Sequence, residues 1–255
     1  LVIMRDQGAD EENTAKFLDA AKRLEIPVVV LKYADCYDDI SVGTIYEEIR
    51  LLGEVFGKQE KAEEIVALMN EQVELIRERT KDIADEDKPR VLYFGAPSYA
   101  KDRGGAGYAF GTDTIESAFL EDIINAKNAY DGDNTELISA ERLLSIDPDV
   151  IILPTYSGYH PPSVMYNEEQ FGKVQELRAL KDRRVYSLTA TPIMDERLEF
   201  PINLMIAAKA IYPDRFEDID LEEWIGNYFK ELYGVDDEKA NELMDALLLR
   251  YLEIT

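Results

Sequence analysis

The sequence predicts an α/β protein with two doubly wound, parallel-sheet lobes that are joined by one long helix. Strand-like apolar runs alternate with helical patterns before residue 41, and a second alternating series begins at residue 90. Between them, apolar residues recur at steps of four and three along a polar stretch, at Ala62, Val66, Met69, Val73, Ile76, Thr80 and Ile83. This spacing is typical of a helix with one narrow buried stripe. A helix over residues 58–83 would span roughly 35–40 Å, which suits a coiled-coil partner, a surface helix or a strut between two lobes. The α/β patterns on either side of it favour the strut.

The first lobe is predicted to be a β-α-β unit. Leu1 to Met4 and Pro27 to Leu31 are strand-like, and a helical pattern with Asp10 as its N-cap lies between them. A shorter helix from about Thr44 to Phe56 precedes the strut, and Gly57 lies where this helix would need a left-handed C-terminal residue. Because two strands make a very small sheet, we expect an incomplete first lobe and a fragment whose true N-terminus and targeting signal lie upstream. The predicted domains are residues 1–41, connecting helices over 42–88, and a second lobe over 89–255.

The second lobe is predicted to repeat the alternation of strands and helices. A strand over Arg90 to Gly95 is followed by a glycine-bearing loop from Ala96 to Thr112. Asp113, with Glu116 three residues later, has the form of a helix-starting capping box. Further strands are predicted at 149–153 and 184–188, and further helices at 139–145, 201–211, 221–232 and 238–252.

Composition excludes several classes of function. The 255 residues contain 53 Asp and Glu against 28 Lys and Arg, for a net charge of −25. This charge disfavours binding to nucleic acid or to anionic membrane surfaces. The chain has one cysteine, Cys36, and one histidine, His160, so a disulfide within the chain is impossible and a Cys/His zinc site is nearly so. The acidity also suits a salt-rich habitat.

The enzymatic interpretations are weak. The chain has no G-x-x-x-x-G-K-S/T phosphate loop, and Gly105-Ala106-Gly107 with Gly111 has the wrong spacing for a dinucleotide loop. A Ser-His-Asp triad would have to use His160, which lies beside Pro161. Acidic pairs are abundant by composition alone, so they indicate no two-carboxylate site. We therefore predict no catalytic residues, although a two-lobed enzyme or cofactor-assembly protein remains the minor alternative.

Several motifs carry a resemblance to a known family. They occur in the family's order as L-V-I at 1–3, P-V-V-V-L at 27–31, L-L-G-E-V-F-G-K at 51–58, S-A-E-R-L-L-S-I-D-P-D-V-I at 139–151 and I-Y-P-D-R-F at 211–216. With the strut, they make the chain similar to substrate-binding proteins of ABC importers for iron–siderophore complexes, cobalamin and haem. The chain departs from the family at Asn125-Ala126-Lys127-Asn128, where relatives commonly have a Gly-Gly-x-Asn turn. Its tail from Ile211 resembles archaeal members.

The resemblance implies two lobes bridged by one long helix, as the residue pattern also predicts. It implies an extracytoplasmic monomer without a resident cofactor, which passes a small-molecule metal chelate to an ABC permease and its ATPase. Membrane anchoring through the missing N-terminal segment would also follow.

The predicted ligand site lies in loops that face the cleft between the lobes. The first lobe would contribute residues 4–8 and residues 32–39, with Tyr33 and Tyr37. The second lobe would contribute Tyr99, Arg103, Tyr108, Tyr156, Tyr159, His160 and Arg197. Aromatic faces with a few arginines suit a bulky, partly anionic chelate. This favours a ferric siderophore over cobalamin, which carries little negative charge; haem also remains an alternative, and direct ligation of metal stays open.

One glutamate is predicted to contact the partner rather than the ligand. Glu141 falls in the first turn of the helix that Ser139 opens, where a carboxylate is favourable in any case. The resemblance implies more, because relatives present one glutamate per lobe to arginines of the permease subunits, and the S-A-E-R-L-L stretch matches the second-lobe position.

Overall fold

The computed structural model describes residues 1–6, 11–32, 40–96, 99–154, 160–167, 169–189 and 198–249. The chain forms two compact units, Leu1–Glu63 and Glu64–Thr255. The division into three parts at residues 41 and 88 stays a prediction. Among the helices in these ranges, none has both the length and the apolar content that crossing a bilayer requires.

The first unit contains the predicted β-α-β arrangement. Strand β1 (Val2–Asp6) is followed by helix α1 (Glu11–Arg23) and strand β2 (Val28–Lys32). The two strands pair in parallel, with Val2 opposite Val28 and Arg5 opposite Leu31. Helix α2 (Val42–Phe56) follows and ends at Gly57, whose φ of 63° gives the left-handed cap that the sequence predicts.

The long helix is present as α3 (Gln59–Thr80), and its apolar stripe is buried as predicted. Met69, Val73 and Ile76 have 0% exposed surface. Thr80, the last residue of α3, is also buried. Its hydroxyl donates to the carbonyl of Ile76 at 3.0 Å, so the polar group at this position of the stripe has a hydrogen-bond partner.

The C-terminal end of α3 is tied to a distant segment of the second unit through Arg79. The guanidinium donates to both carboxylate oxygens of Asp218, at 2.5 and 2.8 Å, and to the carbonyl of Arg215 at 2.9 Å. It also lies 5.3 Å from the centre of the Phe216 ring. The hydrogen bond from Arg79 lowers the pKa of Asp218 to about 2. A bidentate arginine–carboxylate pair of this kind fixes geometry as well as charge.

The second unit is built on a six-stranded sheet with the order β6-β4-β3-β7-β8, and β5 also pairs with β3. Its strands are β3 (Arg90–Gly95), β4 (Gly107–Ala109), β5 (Lys127–Asn128), β6 (Glu136–Ile138), β7 (Val150–Leu153) and β8 (Val185–Ser187). Strands β5, β3, β7 and β8 are parallel. The pairs β3–β4 and β4–β6 are antiparallel and extend the predicted parallel sheet on one side.

Helices pack around this sheet. They are α4 (Tyr99–Asp102), α5 (Ile115–Ala118), α6 (Ala140–Ile146), α7 (Ser163–Asn167), α8 (Arg178–Lys181), α9 (Phe200–Ile211), α10 (Leu221–Tyr233) and α11 (Asp237–Ala246). A π-helical turn, Phe119–Ile123, continues α5, and single 3-10 segments lie at 85–87, 169–174 and 213–215. Every residue of α9 except Lys209 is buried, as expected for a helix that is apolar on all sides. The α/β class is confirmed.

The predicted loop from Ala96 to Thr112 is wrong in part, because it contains α4 and the strand β4. Glycine makes this strand feasible. A Cβ atom added to Gly107 would lie 2.5 Å from the carbonyl oxygen of Gly95, so only glycine lets β4 approach the end of β3 this closely. The glycines of residues 96–112 favour a loop in the sequence pattern, since glycine weakens an ordinary strand.

The predicted N-cap at Asp113 is one residue too early. Thr114 is the cap of α5, and its hydroxyl accepts from the amide of Ser117 and donates to the carbonyl of Gly111 at 2.7 Å. The amide of Asp113 donates instead to the carbonyl of Asp133 at 2.7 Å. A threonine that both accepts and donates satisfies two backbone groups, whereas an ionised aspartate could only accept.

We expect Met69→Ala to destabilise the protein by about 2–5 kcal/mol, because the side chain is fully buried in the α3 stripe. The change in free energy of unfolding is measured by urea denaturation. Glu71→Ala, at an exposed position of the same helix, is the matched control and should change stability by less than about 0.5 kcal/mol. Equal effects of the two substitutions would contradict the buried stripe.

We expect Gly107→Ala to destabilise the protein by roughly 1–3 kcal/mol, because the new methyl group would overlap the Phe94 ring and the carbonyl oxygen of Gly95 at the end of β3. The control is Gly226→Ala within α10, where the nearest atom to an added Cβ is the Met244 sulfur at 3.7 Å. Alanine should stabilise that helix by about 0.5–1 kcal/mol. A Gly107→Ala variant as stable as its parent would show that β4 does not pair this closely with β3.

Candidate functional site

Three loops of the second unit leave the same edge of the sheet. Strands β3, β7 and β8 are parallel neighbours, so their carboxyl ends, at Gly95, Leu153 and Ser187, lie side by side. In open α/β sheets, ligands bind outside the carboxyl ends of the strands. The loops that follow these three strands are the ones in which the sequence analysis placed the second-lobe candidates.

The structure brings Tyr99, Arg103 and Tyr108 together at the carboxyl end of β3. Tyr99 begins the short helix α4, and Arg103 follows its last residue. Tyr108 lies in β4 directly opposite Gly95, the final residue of β3. The two tyrosine rings meet edge to face, with their centres 6.3 Å apart. Three of the ligand-site residues predicted from the sequence therefore form one cluster.

Arg103 is held in this cluster by uncharged partners. Its Nη1 donates a hydrogen bond of 2.9 Å to the Tyr108 hydroxyl, and its guanidinium carbon lies 5.0 Å from the centre of the Tyr99 ring. Within the described parts of the chain, no carboxylate pairs with Arg103. Because the guanidinium is exposed and has no carboxylate partner among the described residues, it can accept an anionic group without first losing an ion pair.

His160 lies at the same edge of the sheet. The hydroxyl of Ser187, at the end of β8, donates to the carbonyl oxygen of His160, so the backbone of His160 lies beside the end of β8. The His160 residue is half-buried. Tyr156, Tyr159 and Arg197 lie outside the described residues, as do the first-lobe candidates Tyr33 and Tyr37.

Glu141 is exposed in the first turn of α6, where the sequence analysis placed it. Hydrogen bonds from its own amide and from Ser139 lower the pKa of its carboxyl group, so it is a stable anion at neutral pH. Ser139 caps the helix by accepting from the amide of Arg142 at 3.2 Å. The carboxylate therefore has a local structural role and is also accessible to a partner.

The strand that precedes α6 was not predicted. The Tyr130 hydroxyl donates to the Glu136 carboxylate at the start of β6, and burial together with this bond raises the pKa of Tyr130 to about 12. Leu137, in the middle of β6, lies directly opposite Tyr108. The sequence does not predict this position of Leu137, because a three-residue strand carries no periodic signal and a leucine by itself indicates only packing.

The described residues at this edge form neither a metal cluster nor a nucleotide loop. In the described ranges, no three His, Cys, Asp or Glu side chains are grouped so that they could hold a metal ion. Gly105-Ala106-Gly107 leads into β4 rather than into the N-terminus of a long helix, so it lacks the helix end that binds phosphate in a dinucleotide fold. The arrangement is that of a binding surface on which a cation lies over one aromatic ring and donates to the hydroxyl of another.

The family profile and the relatives that match this chain all describe solute-binding proteins. The sequence profile of the family described as "Periplasmic binding protein" matches residues 2–192. The chain is 27% identical over 213 residues to the uncharacterized ABC transporter substrate-binding lipoprotein YvrC of Bacillus subtilis. This alignment covers 82% of the chain and 62% of YvrC. It is also 26% identical over 199 residues to the molybdate-binding protein MolA of Haemophilus influenzae. That alignment covers 76% of the chain and 52% of MolA. The chain thus spans less than two thirds of the length of either relative.

A solved structure shows the same fold. The periplasmic solute binding protein of Veillonella parvula superposes with a TM-score of 0.72 at 21% identity, over 92% of this chain and 66% of that protein. All three proteins carry the names of solute-binding proteins, and none is named as an enzyme, which agrees with the predicted absence of catalytic residues and of a resident cofactor. Because the family profile matches about three quarters of its residues, the chain belongs to the periplasmic binding protein family.

Proposed function

We propose that the protein captures an anionic metal chelate, with a ferric siderophore favoured, and delivers it to an ABC importer. The observation that carries the proposal is Arg103, which is held between Tyr99 and Tyr108 without a carboxylate partner in the described residues. The cluster lies where α/β sheets bind ligands, at the carboxyl edge of the central strands.

The charge balance supports an anionic ligand. In a chain of net charge −25, carboxylates outnumber cationic side chains by 53 to 28. Several arginines of the second unit form ion pairs with them, as Arg79 does with Asp218 and Arg178 with Asp147 and Asp149. An arginine that is instead held by neutral aromatic groups is suited to a ligand that brings the negative charge with it.

The aromatic partners favour a bulky ligand with flat groups. Tyr99 and Tyr108 offer ring faces and hydroxyls next to the cation, which suits stacking together with hydrogen bonding. A small oxyanion would use only the guanidinium and the hydroxyls. Molybdate is nevertheless the second candidate, because the relative MolA is named for binding it. Cobalamin and haem remain further alternatives within the family that the sequence resembles.

Delivery to an ABC importer requires that the protein lies outside the cytoplasm and that its partners are a permease and the permease's ATPase. The support is the family membership and the relative YvrC, which is named as a substrate-binding lipoprotein of an ABC transporter. We further propose that the protein acts as a monomer that closes on its ligand, and that Glu141 contacts the permease. An ion pair enclosed at a docking surface contributes to orientation as well as to affinity.

We expect Arg103→Gln to weaken binding of an anionic ferric chelate by roughly ten- to 150-fold, which corresponds to about 1.5–3 kcal/mol for a lost charge-assisted hydrogen bond. Calorimetric titration with a ferric tris-catecholate measures this change. Parallel titrations with a neutral ferric hydroxamate, molybdate, haem and cobalamin identify the ligand class. Tighter binding of molybdate than of any chelate would favour the second candidate.

The matched control is Arg183→Gln. Arg183 also lies over a tyrosine ring, that of Tyr166 at 5.6 Å, but it precedes β8 and is therefore at the opposite edge of the sheet. This variant should bind the chelate as tightly as the parent does. Equal affinities of the Arg103→Gln and parent proteins would remove Arg103 from the ligand site.

We expect Glu141→Arg to leave ligand affinity and melting temperature nearly unchanged while it reduces ligand-stimulated ATPase activity of the reconstituted importer. Reversal of an exposed charge should perturb the fold little, but it would place like charges together at the docking surface. Glu231→Arg, an identical charge reversal at an exposed position of α10, is the control and should retain full stimulation. Full stimulation by Glu141→Arg as well would limit Glu141 to its role at the helix end.

A further inference from the structure

Leu137 lies beside the arginine–tyrosine cluster without belonging to it. In the antiparallel pair of β4 and β6, Leu137 is directly opposite Tyr108. Residues opposite each other in such a pair project their side chains from the same face, about 4.5–5.5 Å apart at Cβ. The Leu137 side chain is therefore a lateral neighbour of the Tyr108 ring.

The same side chain closes the turn that carries Arg103. A Cβ atom added to Gly105 would lie 2.5 Å from Cγ of Leu137, so the backbone of the turn already rests against this leucine. The turn is fixed on both sides of that contact. The amide of Gly105 donates to the carbonyl of Ala100 at 3.0 Å, and the amide of Ala106 donates to the carbonyl of Ile138 at 2.8 Å.

Strand β6 holds Leu137 firmly enough to act as a support. Its first residue, Glu136, accepts the hydrogen bond from Tyr130, and its last residue, Ile138, accepts the bond from Ala106. Ser139 then starts α6 directly after the strand. Leu137 is thus anchored on either side, while its side chain extends to both the Gly105 turn and Tyr108.

We infer that Leu137 is a positioning residue of the ligand site, which sets the relative placement of Arg103 and Tyr108. This inference rests on the proposed function. Arg103 is two residues before Gly105, and its hydrogen bond to Tyr108 spans the turn that Leu137 supports. Hydrogen bonds weaken steeply as their angle departs from linear, so loss of the support would disorder the donor group that faces the ligand.

The test compares Leu137→Ala with a variant that is destabilised elsewhere. We expect Leu137→Ala to lower affinity for a ferric tris-catecholate roughly tenfold, because misplaced donors lose a substantial part of their binding energy. Leu180→Ala removes a leucine side chain that is more deeply buried, from α8, and should lower the melting temperature at least as much without a change in affinity. Leu137→Met, which conserves volume, should restore affinity to within about twofold of the parent.

A ligand-independent measurement checks the contact itself. Gly105→Ala should destabilise the protein because its methyl group overlaps Leu137, and removal of that side chain should relieve part of the effect. The double variant Gly105→Ala/Leu137→Ala should therefore be less destabilised than the sum of the single variants, as measured by urea denaturation. Additive effects would show that the turn does not rest on Leu137 and would overturn the inference.

The outcomes separate this inference from the proposed function. If the parent binds the chelate and Leu137→Ala binds it equally well, Leu137 has no positioning role and the proposed function stands. If Leu180→Ala loses as much affinity as Leu137→Ala, the effect is general destabilisation and the inference is wrong. If the parent binds none of the five probes, the proposed function fails and the inference fails with it, whatever the stability cycle shows.

Discussion

The parallel pairing of β3, β7 and β8 is the constraint on which the candidate site depends. It brings three carboxyl ends, at Gly95, Leu153 and Ser187, to one edge, although these residues are far apart in sequence. Parallel strands require crossover connections, which here contain the helices that cover the sheet. The same architecture that buries the strands therefore leaves their loops free to carry binding residues.

The arginines of the second unit are held in two ways. Some form ion pairs with the acidic surface, such as Arg79 with Asp218, and this pair stabilises the connection between the end of α3 and residues 215–218. At the edge of the sheet, Arg103 meets aromatic rings and a hydroxyl instead. Such neutral partners position the cation but leave its charge uncompensated, and that is the condition that recognition of an anion requires.

Much of the fold could be predicted because the signals were periodic or local. The stripe of α3 repeats every three or four residues, and its members Met69, Val73 and Ile76 are fully buried. The cap of α2 at Gly57 and that of α6 at Ser139 depend only on neighbouring residues and were found at the expected places. Strands β4 and β6 were missed because three residues show no period, and because pairing across more than twenty residues leaves no local trace.

The sequence by itself determined the α/β class, the long helix, the acidic surface and the residue types of the site. Each of these follows from composition or from spacing along the chain. Only the tertiary structure decided that Arg103 lies between Tyr99 and Tyr108, and that Leu137 closes the turn between them. These arrangements depend on the register of β4 against β3 and β6, and register is set by packing and by the close backbone approach at Gly107, which no local pattern encodes.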